Sequence, residues 1–279
     1  MGLFDDLEKM GLKGFDDMEL FSNPQDQREQ TKIEKTVTAQ KVSEEEMLFE
    51  KTYNCVVCDR TFKALTVKTG KARIVSREKD LRPVFSGCDS LKYDIVSCPY
   101  CGFSAMARFF TPLANTQRRL VLEKISSHVK PFDEHKAKFT YAEALDRYKL
   151  ALVNSVVKMS KISERAYTCL KISWLIRGYI EEISNSTEDY EEVDSSLQQQ
   201  EEEYAKQAYE GFKMAIMQET FPMCGMDEHT ISYIIAVLAM RFGDNDIAKK
   251  LVAEILISKN ASAGIKDKSR DLKDELLGR

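Results

Sequence analysis

The side chains best suited to chemistry are seven cysteines: Cys55, Cys58, Cys88, Cys98, Cys101, Cys169 and Cys224. Four of them form two pairs, Cys55-Val-Val-Cys58 and Cys98-Pro-Tyr-Cys101, the second followed by Gly102. A Cys-x-x-Cys turn aims two thiolates at one point and leaves backbone amides free to bond the sulfurs. Two such turns complete a tetrahedral four-sulfur shell, which suits Zn2+. That shell has no open position for water, so the expectation is one structural zinc per chain, held by Cys55, Cys58, Cys98 and Cys101. The 39 residues between the pairs exceed the compact spacing of such sites. Strands inserted between the two turns account for them and make a zinc-ribbon-like module. Tyr53, Phe62, Tyr100 and Phe103 flank the pairs and could shield a metal from water. An iron–sulfur cluster uses the same four donors. A thioredoxin-like redox pair would want a βαβ pattern, which is absent. Cys88 has no paired neighbour and reads as a spectator. Cys169 and Cys224 lie in helical surroundings and read as small buried residues.

Other reactive constellations are missing. His128, His135 and His229 form no metal or triad motif, and no phosphate loop or His-Glu-x-x-His is present. Nothing in the sequence requires an enzyme. Charge offers a second lead. The chain is net −4, yet Lys51 to Thr111 hold 11 Lys/Arg against 5 Asp/Glu. Lys63, Lys68, Lys71, Arg73, Arg77 and Arg82, interleaved with Phe62 and Val67, are the candidate phosphate contacts. Strand alternation would split them between two faces, and the rest of the chain is acidic. The expectation is therefore weak nucleic-acid binding and a protein or peptide partner.

These residues need elements to hold them. Thr61–Val67, Ala72–Ser76 and Leu91–Ser97 read as strands, and 78–90, with Pro83 and Gly87, as a loop. Beyond Leu113 the apolar period becomes helical. Tyr141, Leu145, Tyr148, Leu152 and Val156 form one stripe; Ala205, Ala208, Phe212, Ala215 and Glu219 another, mostly small or apolar; Ile231, Ile234, Ile235, Leu238 and Phe242 a third; Ile247, Leu251 and Ile255 a fourth. Gly243 suits the left-handed end of one helix, and Asp244 or Asn245 the cap of the next. Ala144, Tyr148 and Ala151 match Ala208, Phe212 and Ala215 in placement, a weak repeat similar to a tetratricopeptide helix. Ahead of all this, Leu3, Leu7, Met10, Phe15, Met18 and Phe21 form an apolar stripe on an acidic segment, and residues 22–50 are a polar linker. Residues 184–203 are polar and acidic, a loop or solvated helix extension.

The fold class that follows is α+β, mostly α. Residues 1–50 are an amphipathic segment and linker, 51–111 the zinc-ribbon-like module, and 112–279 an irregular tetratricopeptide-like helical array. No apolar run is long enough to span a bilayer, and the first residues lack a secretory or myristoylation pattern, so a cytoplasmic protein is expected. The odd cysteine count agrees, since it argues against a disulfide framework.

Tyr53-Asn-Cys55-Val-Val-Cys58, Lys71-Ala-Arg73-Ile-Val75 and Tyr93-Asp-Ile-Val-Ser-Cys98-Pro-Tyr-Cys101-Gly-Phe-Ser-Ala together resemble the bacterial domain of unknown function family 2225. Arg241-Phe-Gly243-Asp and the Ile265–Asp271 tail extend the resemblance over roughly residues 48–279. It implies a bacterial cytosolic protein with a metal-binding head and tetratricopeptide-like helices, and no established activity. The function expected is that of a non-enzymatic zinc-binding adaptor. A nucleic-acid-associated regulator is the alternative, and a cysteine-based redox sensor a weaker one.

Overall fold

The computed structural model describes residues 43–129, 136–185 and 191–278. The Leu3–Phe21 stripe, most of the linker after it, His135 and residues 186–190 lie outside the described residues.

Among the described residues six short strands pair as three antiparallel hairpins. Strand β1 (Leu48–Asn54) pairs with β2 (Thr61–Val67), β3 (Arg73–Arg77) with β4 (Pro83–Ser86), and β5 (Ile95–Ser97) with β6 (Ser104–Met106). Strand β2 shows the two-residue period that the sequence announced. Phe62 and Ala64 are buried while Thr61 and Lys63 face solvent. Elsewhere the sequence reading needs correction. Strand β1 begins within the segment read as linker, because its partner β2 holds it by a ladder from Leu48↔Val67 to Asn54↔Thr61. Strand β4 lies within the supposed loop 78–90, where Pro83 starts a strand without giving up a ladder bond. Leu91–Ser97 is not one strand. Asp89 accepts a hydrogen bond from the Leu91 amide and starts a 3-10 turn over Ser90–Tyr93 before β5.

Seven helices follow among the described residues: α1 (Asn115–Val121), α2 (Tyr141–Val157), α3 (Ile162–Ser184), α4 (Glu191–Gln218), α5 (Glu228–Arg241), α6 (Asn245–Ile257) and α7 (Ala263–Leu276). The chain is thus α+β and mostly α. Local chemistry sets several boundaries. Thr140 and Glu143 form a capping box at the start of α2, and Asp227 caps α5. Gly243 takes φ +83° between α5 and α6, as expected of it. Asp244 sits at the cap of α6, but its carboxylate accepts from the Tyr209 hydroxyl at 2.6 Å instead of closing the cap.

Helices α2, α3 and α4 run antiparallel in turn. Gly178, late in α3, lies so near Tyr141 at the start of α2 that an added Cβ would stand 2.9 Å from its ring. Gly211, late in α4, would meet Ala166 of early α3 at 2.8 Å. Ser163 and Glu219 join the same two ends. The small–aromatic–small triplets behave as read: Ala144, Tyr148, Ala151, Ala208, Phe212 and Ala215 are all buried in one core. Val156 departs from its stripe and is 53% exposed, in the last turn of α2.

That core also takes in Leu91, Ile95 and Met106 from the β-rich part. The change of element type near residue 112 is therefore not a gap in packing, and residues from Ser43 on form one compact unit. The β3–β4 turn is pinned by charge as well. Asp80 accepts from the Trp174 indole at 2.8 Å and from Arg177. Arg82 forks onto Glu181 at 2.6 and 2.7 Å and reaches Glu78 at 2.8 Å. Glu201 of α4 in turn binds Arg241 of α5. No helix among the described residues is long and apolar enough to cross a membrane.

Candidate metal centre

Both Cys-x-x-Cys turns sit at hairpin tips, the first between β1 and β2 and the second between β5 and β6. They share one backbone geometry. In the first, the Cys55 amide donates to the Arg60 carbonyl and the Asp59 amide to the Cys55 carbonyl. In the second, the Cys98 amide donates to Phe103 and the Gly102 amide to Cys98. Each turn is closed by a residue at positive φ, Asp59 at +60° and Gly102 at +71°. Gly102, directly after the second pair in the sequence, has no Cβ to oppose this conformation. Nothing in the sequence marks Asp59, whose short polar side chain tolerates the same conformation.

The two turns bring the four sulfurs together. Cys55 and Cys101 Sγ are 3.5 Å apart, Cys58 and Cys98 Sγ 3.7 Å, and all four lie within 4.8 Å of one another. A tetrahedral site with Zn–S bonds of about 2.3 Å would set its sulfurs about 3.8 Å apart. The donor set therefore fits a tetrahedral thiophilic ion. The Val57 amide also points at Cys55 Sγ, at 3.4 Å.

Electrostatics supports the same occupant. Hydrogen bonds from Cys101 and Cys98 draw the Cys55 pKa down to about 2. In return Cys101 is raised, chiefly by its bond to Cys55. Cys98 is pushed up to about 12; its bond with Cys101 lowers it, but Cys55 and burial outweigh that. Four crowded sulfurs cannot all ionise without a cation among them. A divalent ion would let each stand as thiolate.

The surroundings are apolar. Val57, Phe62, Val96 and Phe103 are buried against the cysteines, with Val121 and Ile125 from α1 and the turn after it. Tyr53, Phe62, Phe103 and Phe110 make an aromatic cluster with ring centroids 5.2–6.1 Å apart. Tyr100 is a correction: it is 48% exposed, under the Arg60 guanidinium, and shields nothing. Phe110 takes the place it was expected to fill.

Two further groups, not apparent from sequence, tie this centre to the helices. Asn154 of α2 is fully buried and donates to the Gly102 carbonyl at 3.0 Å. Ser126 donates to the Cys101 carbonyl at 2.8 Å. The remaining cysteines lie elsewhere. Cys88 is buried beside Glu44 and Tyr93, and burial pushes its thiol up to about 12. Cys169 is raised likewise inside α3, and Cys224 donates to the Ser163 carbonyl. His128 is exposed and His229 half-buried, and both are outside the cluster.

The basic candidates disperse. Lys63 pairs with Glu50 at 2.9 Å, Lys68 donates to the Glu46 carbonyl, and Arg82 is only 4% exposed within its carboxylates. Arg82 is therefore a structural anchor and not a phosphate contact. Phe62 is buried and unavailable for stacking. Lys71, Arg73 and Arg77 stay exposed.

Compared with known proteins, residues 48–276 match the family described as an uncharacterized protein conserved in bacteria (DUF2225). No curated protein and no solved structure matches the chain.

Proposed function

Because the chain belongs to DUF2225, a family whose description attaches no activity, we propose a function from its own geometry: a zinc-stabilised protein-interaction protein of the cytoplasm. The observation that carries the reading is the closed four-sulfur cluster packed on the helices through Asn154 and Ser126. Four thiolates fill the coordination sphere of Zn2+ and leave no site for a substrate or an activated water. The ion's work is then to hold two hairpins together and orient the helical array.

The array offers surfaces for a partner. Val153 and Val156 are exposed three residues apart on α2, as are Met214 and Met217 on α4, with Met217 at 75%. Exposed apolar stripes on helices suit a docked peptide or protein, and methionine adapts to varied contacts. Two measurements test the reading. Native mass spectrometry should find one zinc per chain, lost in Cys58→Ser; a folded, metal-free protein would refute the zinc. Pull-down with mass spectrometry should recover a partner that Met214→Glu/Met217→Glu loses. Recovery of the same partner by that variant would refute the docking face.

The nucleic-acid reading draws on what remains of the basic set, Lys71, Arg73 and Arg77. Three exposed cations support binding no tighter than about micromolar at physiological salt. Sequence-selective nanomolar binding in an anisotropy titration would promote it. A redox sensor would instead release its metal on mild oxidation.

A further inference from the structure

A cleft beneath the β3–β4 hairpin carries chemistry that the metal centre does not use. Its volume is about 640 Å³, within the range of roughly 300–1,000 Å³ common for small-molecule sites. The hairpin, α3, the start of α5 and the first turn of α7 enclose it. Four charged side chains line it, Arg77, Arg108, Lys171 and Lys268, and all are cations. No Asp or Glu is among the lining, in a chain with more acidic than basic residues. A concave wall of one sign focuses the field and draws in counter-charge.

The four cations are not equally engaged. Lys171 is neutralised by Asp94. Arg108 donates to the Cys224 carbonyl and lies over the Tyr167 ring at 5.8 Å, with no carboxylate partner among the described residues. Its seat depends on Gly225, at φ +75°, where a Cβ would stand 3.1 Å from its guanidinium. The Arg77 and Lys268 side chains make no ion pair or hydrogen bond among the described residues. Three of the cations thus stand outside any ion pair among the described residues. The opening turn of α7, a 14-residue helix, adds the positive end of its dipole on the same side. The lining also includes the apolar side chains of Leu81, Phe85, Trp174 and Ile234.

We propose that this cleft binds a phosphorylated small organic molecule, one with two or more negative charges on phosphate and a planar or apolar body. Three cations outside ion pairs among the described residues exceed what a single carboxylate would balance. The apolar lining and the volume exceed what inorganic phosphate would fill. The phosphate lies toward Arg77, Arg108 and Lys268, and the body lies against Phe85 and Ile234.

Calorimetric titration of the full-length, metal-loaded protein at about 150 mM salt tests this with ADP as probe. Inorganic pyrophosphate supplies the charge alone and adenosine the body alone. ADP should bind at least about tenfold more tightly than either. Arg77→Glu/Lys268→Glu should weaken ADP about tenfold or more, with melting temperature and zinc content unchanged. Lys250→Glu, exposed on α6 and outside the cleft, should leave ADP affinity within about twofold. Three results would overturn the proposal: no ADP binding at millimolar concentration, pyrophosphate binding as tightly as ADP, or unchanged ADP affinity in the double variant.

Discussion

Alanine at Gly102 should cost far more than one methyl group suggests. The residue sits at φ +71°, where an L side chain costs about 1–2 kcal/mol. Its Cβ would also stand 2.7 Å from both γ-methyls of Val129. Overpacking of that kind costs roughly 1–3 kcal/mol. The two together give about 2–5 kcal/mol, a loss of roughly 4–20 °C in melting temperature for a unit of this size. Asp59 occupies the same position in the first turn at φ +60°, yet Asp59→Gly should be nearly neutral. Relief of the left-handed cost, about 1–2 kcal/mol, is offset by greater freedom of the unfolded chain and by loss of the exposed pair with Arg118. Thermal unfolding and a chromophoric zinc competition on both variants read these effects. Combining Gly102→Ala with Val129→Gly isolates the steric part, since the Val129 Cβ would itself stand 2.8 Å away and only with it removed should the φ cost of about 1–2 kcal/mol alone remain. If Gly102→Ala is as harmless as Asp59→Gly, or its cost is unchanged when Val129→Gly is already present, the reasoning fails.

Other outcomes follow from the same structure. Asn154→Ala removes the donor to the Gly102 carbonyl and should destabilise by about 1–3 kcal/mol, read by denaturant unfolding. Removing the metal with a chelator should lower amide-exchange protection in α1 and α2 as well as in the hairpins, because Val121, Ile125 and Asn154 rest on the two turns; loss confined to residues 51–111 would show the helices independent. Arg82→Ala should cost about 2–4 kcal/mol in thermal or chemical unfolding and leave nucleic-acid binding unchanged. Tyr93, Tyr141, Tyr148 and Tyr233 are all held above the usual phenol value, first by burial. A raised folded pKa means full stability below about pH 10 and a decline above it. Tyrosinate absorbance should then rise together with loss of helical circular dichroism, not ahead of it.

What the sequence made legible is local or covalent in spacing. Two Cys-x-x-Cys turns announce themselves because each needs only four residues. Strand β2 and the Gly243 turn are likewise set by near neighbours. The misreadings are of partners far along the chain. Arg82 looked like a free surface cation because Glu181 is 99 residues away. Asn154 carries no mark of its role in the sequence, because the carbonyl it serves, that of Gly102, lies 52 residues earlier. Tyr100 and Phe103 are equivalent by composition, and only the position of Phe110 decides which is covered. Strand β1 has too little alternation to declare itself without β2 alongside.

The three hairpins share no ladder with one another. Cys58 and Cys98 are 40 positions apart, so a metal held by both tips would close a loop that no strand pairing among the described residues closes. During synthesis, each hairpin can form from its own few residues as soon as it emerges, whereas α1 and α2 arrive later. A zinc ion captured by the two tips at that stage would fix their mutual orientation before the helices exist, and would prepay the loop-closure entropy of the join. A chain made in zinc starvation must wait for α2 to bring the tips together. The difference between the two routes is one of folding speed and of exposure to proteases on the way, even where the final helices are the same.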